Sequence, residues 1–123
     1  MCVGEFYEML DSLPEACDNF DVRFTTHNRS VWIYPDGYGV DGDGDLCINS
    51  TYDADDNRDT YTVDDLKELL SGDWNNESDY VEDDMDVYAE YRDYDGSEYY
   101  LVLNHRFWIN WKRKRVDVFI QDN

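Results

Sequence analysis

The stretch Val87-Tyr88-Ala89-Glu90-Tyr91-Arg92-Asp93-Tyr94-Asp95-Gly96-Ser97-Glu98-Tyr99-Tyr100-Leu101-Val102-Leu103 is the clearest local instruction in the chain. Val87, Ala89 and Tyr91 alternate with Tyr88, Glu90 and Arg92, which is the period of a strand with one face on a core. Asp95-Gly96 is the two-residue hairpin signal, and Tyr99, Leu101 and Leu103 resume the alternation. Beyond it, Phe107, Ile109 and Trp111 alternate, Lys112-Arg113-Lys114-Arg115 interrupts as a turn, and Val116, Val118 and Ile120 alternate again. A final hairpin therefore closes the chain.

Upstream, Phe6, Met9, Leu10 and Leu13 fall at helical spacing, which predicts a short amphipathic helix ending near Pro14. Asp21–Thr26 and Val31–Tyr34 read as a hairpin around Asn28-Arg29-Ser30, Pro35-Asp36-Gly37 as the start of a turn, and Leu46-Cys47-Ile48 as a third strand. Thr62-Val63-Asp64-Asp65 resembles a capping box, with Leu66, Leu69 and Leu70 behind it and Gly72 as a stop, so a second short helix is expected. The sum is one α+β domain over residues 1–123, an antiparallel sheet of about six to seven strands with two short helices on one face. No internal repeat is legible.

Charge is the dominant compositional fact. Thirty Asp and Glu face ten Lys and Arg, a formal net charge of -20, far beyond the magnitude of roughly 2 to 8 that serves solubility in a small domain. With 16% aromatic residues the chain has enough apolar area to fold, so it reads as globular inside a repulsive shell. The charge is regional: residues 36–98 hold 22 of the 30 acids and three basic residues, Arg58, Lys67 and Arg92. From Arg106 to Asn123 five basic residues outweigh Asp117 and Asp122.

Three acidic sets are the candidate partner-binding residues: Asp41, Asp43 and Asp45; Asp53, Asp55, Asp56 and Asp59; and Asp79, Glu82, Asp83, Asp84 and Asp86. In extended chain, residues two apart point the same way about 6.6 to 6.8 Å apart, so Asp41, Asp43 and Asp45 are expected to form a row of carboxylates resembling a line of phosphates. Asp outnumbers Glu 22 to eight, and its short stem holds charge close to the backbone. Tyr38, Tyr52, Tyr61, Tyr80, Tyr88 and Tyr94 interleave with the acids, as expected of an interface.

Other chemistries find little support. Asp41-Gly42-Asp43-Gly44-Asp45 opens like a calcium loop, but the sixth and twelfth positions, which need Gly and Glu, are Leu46 and Tyr52. His27 and His105 lack partners at zinc-ligand spacing, and no nucleophile elbow or phosphate loop is present, so no metal, no cofactor and no enzymatic activity are expected. Three Cys at positions 2, 17 and 47 in an odd, unpaired pattern point to a reduced, cytoplasmic setting without disulfides. The anionic surface argues against direct binding of nucleic acid or of membranes.

In size, charge, Asp excess and lack of a catalytic motif, the chain resembles the acidic DNA-mimic inhibitors of phages and plasmids, of anti-CRISPR and antirestriction type. That resemblance implies an inhibitor in the host cytoplasm that blocks the groove of a basic nucleic-acid-binding protein: a nuclease, a CRISPR effector or a restriction enzyme. A second copy of the chain is a further candidate partner, through the Trp-rich C-terminal hairpin. The alternatives are an immunity protein neutralising a nuclease toxin, and a halophilic or calcium-binding acidic domain.

Overall fold

A computed structural model describes residues 1–26, 32–51, 60–75, 80–92 and 96–120. The elements are helix α1 (Val3–Asp11), a 3-10 turn (Glu15–Cys17), strands β1 (Asp21–Thr26), β2 (Trp32–Val40) and β3 (Leu46–Thr51), helix α2 (Val63–Leu70), and strands β4 (Val87–Arg92), β5 (Glu98–Asn110) and β6 (Arg115–Ile120). Both expected helices form, each started by a carboxylate three residues inside it. Glu5 accepts the Cys2 amide at 3.0 Å, while Thr62 and Asp65 exchange reciprocal bonds of 3.0 and 3.2 Å. The Cys2 bonds, reinforced by His105, hold the Glu5 carboxyl down at about 2.

The strands close into a barrel in the order β1-β2-β3-β4-β5-β6, with β6 returning to β1. This corrects the expected antiparallel sheet. The β1–β2, β2–β3, β4–β5 and β5–β6 pairs are antiparallel, but β3–β4 and β1–β6 are parallel, so the sheet is mixed. The antiparallel pairs are hairpin neighbours with local turn signals. The parallel pairs join strands far apart in sequence, for which no local signal exists.

Two boundaries also differ. The expected strands around Tyr99–Leu103 and Phe107–Trp111 are one 13-residue strand, β5, whose register shifts between Leu103 and Phe107. Pro35-Asp36-Gly37 starts no turn but lies within β2 as an irregularity between Pro35 and Gly37. There the chain beside β2 is residues 60–61: the Tyr61 amide and the Thr60 hydroxyl donate to Pro35 O at 2.8 and 3.0 Å, a place where Pro's missing N–H costs nothing.

The pairings reveal a repeat that the sequence hides. Each half of the chain is one helix followed by a three-stranded meander, and the halves meet in parallel at β3–β4 and β6–β1. The helix starts dock reciprocally. Val3 and Gly4 amides donate to Met85 O and Asp83 O (2.8 and 2.9 Å), and Val63 and Asp64 amides donate to Phe20 O and Asp18 O (3.0 and 2.9 Å). Cys2 bridges Asp86 just before β4, and Thr62 bridges Asp21 at the start of β1. Gly44 and Lys114, at φ 84° and 52°, stand two residues before Leu46 and Val116, which pair with Val87 and Val22 respectively.

The core is the barrel interior together with the apolar faces of both helices. Val22, Phe24, Ile33, Leu46, Ile48, Val116 and Val118 from the strands join Phe6, Leu10, Leu66 and Leu69 in one buried cluster. Lys67 of α2 ties the helices further through Asp11 at 3.2 Å. On the outer side of the β1–β6 seam, Arg23 and Asp117 lie opposite each other, 6% and 2% exposed, in a bidentate pair of 2.9 and 3.0 Å. The Arg23 guanidinium also sits 5.0 Å from the Trp32 ring. Arg115 Nε lies 3.2 Å from the same carboxylate, out of line for a hydrogen bond.

Candidate functional site

The outer side of the other parallel seam, β3–β4, is where the acids converge. Because Leu46, Ile48 and Ala89 point inward, alternation turns Cys47, Asn49, Tyr88 and Glu90 to the outer face. Tyr100 of β5 stands opposite Glu90. The β2–β3 turn, residues 41–45, closes one end.

That turn is not the expected extended row. Asp41 Oδ1 accepts both the Asp43 and the Asp45 amides at 2.9 Å, and Gly44 takes φ 84°, so the backbone wraps around the Asp41 carboxylate. One oxygen each of Asp41, Asp43 and Asp45 then lies within 4.8 Å of the others. The carboxylates gather into a knot where strand geometry would have spaced them.

Three adjoining concavities follow the seam. The first, of about 390 Å³, is lined by Asp41, Asp43, Asp45, Tyr88 and Tyr100. A smaller one of about 150 Å³ reaches Cys47, Asn49 and Glu90, and a third of about 340 Å³ runs from Glu90 to Ser50 and Tyr91. No Lys or Arg lines them among the described residues.

Proton affinities along the groove record its negative potential. Burial first, then the carboxylates of Asp41 and Glu90, push the Cys47 thiol up to about 12. Tyr100 is raised by Glu90 and Glu98, and Tyr88 by burial and then Asp45 and Asp86. Asp45 rises through desolvation and its neighbours Asp41, Asp86 and Asp43. Asp41 moves the other way because the Asp45 and Asp43 amides hydrogen-bond its charged form. Such a groove attracts and orients cations, and the Cys47 thiol stays protonated and unreactive.

Of the candidate residues, Asp41, Asp43, Asp45 and Asp86 come together here. Glu82, Asp83 and Asp84 are exposed on a separate turn beside the start of α1, where Asp83 O accepts the Gly4 amide. Asp53, Asp55, Asp56, Asp59 and Asp79 lie outside the described residues, as do Tyr52 and Tyr94. Two of the tyrosines assigned to an interface are packing residues: the Tyr38 hydroxyl donates to Trp74 O at 2.8 Å, and Tyr61 meets the Trp74 ring edge-on at 5.4 Å. Tyr80 is exposed and Tyr88 lines the groove. Glu90, Cys47 and Tyr100 were missed as site residues. Glu90 reads in sequence only as the polar beat of a strand, and its neighbours are set by a parallel pairing.

The C-terminal hairpin forms as expected around a turn at 111–114. Trp111 packs edge-on against Phe20 at 5.5 Å while remaining half exposed, and Trp108 is exposed beside Asp117. No helix among the described residues is long and apolar enough to cross a membrane. No protein family, characterised protein or solved structure matches the chain, so the site stands on its own geometry: an acidic, tyrosine-walled groove on one seam of a barrel.

Proposed function

We propose that the protein is a DNA-mimic inhibitor that occupies the nucleic-acid groove of a basic host-defence protein, such as a CRISPR effector, a restriction enzyme or another nuclease. The observation that carries this reading is the convergence of Asp41, Asp43, Asp45 and Asp86 with Glu90 along one seam whose lining holds no Lys or Arg among the described residues. Desolvation and then the neighbouring charges of Asp41, Asp86 and Asp43 raise the proton affinity of Asp45, so an arriving cation relieves repulsion there as well as forming new pairs. A net charge of -20 adds long-range steering toward a positive groove.

The test is binding to a panel of basic nucleases and defence complexes across a salt series. Affinity should fall about tenfold or more between 50 and 200 mM salt, and DNA or guide RNA should compete. Asp41→Asn with Asp45→Asn should weaken the complex. A complex that ignores salt and tolerates bound DNA refutes the proposal. An immunity-protein mode would instead make Tyr100→Ala costlier than any charge change. The closeness of the three Asp oxygens also favours a second reading, divalent-cation binding, which calorimetry with calcium would reveal as saturable heat at micromolar concentration.

A further inference from the structure

The two seams of the barrel occupy equivalent places in the repeat, and one of them shows what the other lacks. By strand register, Tyr88 takes the place of Arg23, Cys47 that of Asp117, Tyr100 that of Trp32 and Glu90 that of Thr25. On the β1–β6 seam the chain's own Arg23 guanidinium lies between a carboxylate, 2.9 and 3.0 Å away, and an aromatic ring at 5.0 Å. On the β3–β4 seam the ring is kept as Tyr100, 52% exposed, and carboxylates are supplied by Glu90 and Asp41, but Tyr88 stands where the arginine was.

We propose that the β3–β4 groove binds an arginine side chain carried on an extended segment of the partner. Its guanidinium rests on the Tyr100 ring and bonds to Glu90 and Asp41, in the manner in which Arg23 is held on the opposite seam. Arginine is favoured over lysine because its planar fork serves a carboxylate and a ring face at once. The site accepts a side chain only. Backbone groups of both strands are already paired along the seam. This inference rests on the reading of the protein as a binder of basic proteins, and names the group that one part of its surface selects.

The test is an NMR titration of the whole chain with acetyl-Ser-Arg-Ser-Arg-Ser-amide and with the matching lysine peptide at low salt. The arginine peptide should move the Cys47, Asn49, Tyr88 and Glu90 amides and bind about fivefold more tightly than the lysine peptide. Tyr100→Ala should abolish that preference, with dispersion of the spectrum reporting the fold and Tyr100→Phe retaining the preference. Glu90→Gln should weaken binding about tenfold, while Asp83→Asn with Asp84→Asn should leave it unchanged. Equal affinity for the two peptides, or shifts centred on Asp83 and Asp84, would overturn the proposal. If the arginine preference stands but no salt-steep, DNA-competitive target complex exists, the groove survives and the inhibitor reading falls. If the complex exists and the preference does not, the reverse holds.

Discussion

Replacing Asp117 by Ala is expected to destabilise the fold by about 3–5 kcal/mol, the usual cost of stranding a buried charge. The structure makes this the worst single acid to lose. Asp117 is 2% exposed and serves two guanidiniums, Arg23 through two hydrogen bonds and Arg115 at 3.2 Å. Its removal strands the buried Arg23 guanidinium and leaves Arg115 with Asp21, its register partner across the seam. The reciprocal change, Arg23→Met, keeps the aliphatic stem under Trp32 and leaves Asp117 with Arg115, so it should cost at least about 1 kcal/mol less. Chemical denaturation followed by tryptophan fluorescence measures both, and the melting temperature of Asp117→Ala should drop by about 10–20 °C. A cost below about 1 kcal/mol for Asp117→Ala, or a larger one for Arg23→Met, would refute the argument.

Stability should have an acidic optimum. Asp21 and Asp45 have proton affinities raised above the ordinary value of 3.8, so their stabilising share is present below that pH and lost as pH rises through their folded values. Glu5, held at about 2 against an ordinary 4.5, and Asp41 act oppositely, contributing above their ordinary values and failing as pH falls through the folded ones. Urea midpoints should therefore rise as pH falls through the folded values of Asp21 and Asp45, and fall again below about 4.5 as Glu5 loses its charge; a monotonic curve would contradict this. Gly44→Ala should cost about 1 kcal/mol because φ is 84° there, whereas Gly42→Ala, with the same open space around it, should be nearly neutral in the same assay.

Much of the fold was legible where the instruction was local. The capping residues at Thr62–Asp65, the helical spacing of Phe6 and Leu10, and the alternation of Val87–Arg92 all specify elements within a few residues of themselves. The pairing of Leu46 with Val87, or of Val22 with Val116, has no such signature, because parallel neighbours are chosen by the whole core rather than by a turn. That is why barrel closure escaped the sequence, and with it the repeat, whose equivalent positions differ as widely as Arg23 and Tyr88. The site was half legible for the same reason. Clustering along the chain found Asp41, Asp43, Asp45 and Asp86, but the knot formed by the first three depends on Gly44 taking a left-handed conformation, and Glu90 reaches them only across the β3–β4 seam.

Closure of the barrel also limits the means by which anything can recognise this protein. A sheet with a free edge offers unpaired amides and carbonyls, and partners or identical copies can extend it strand by strand. Here β1 is paired with β6 along its full length, from Asp21–Arg115 to Thr26–Ile120, and β3 with β4 over five residues. The two strands that would have been the edges of an open sheet are zipped to each other. Along these paired strands recognition is thereby handed to side chains, whose identity can change without disturbing the hydrogen-bonded frame beneath them.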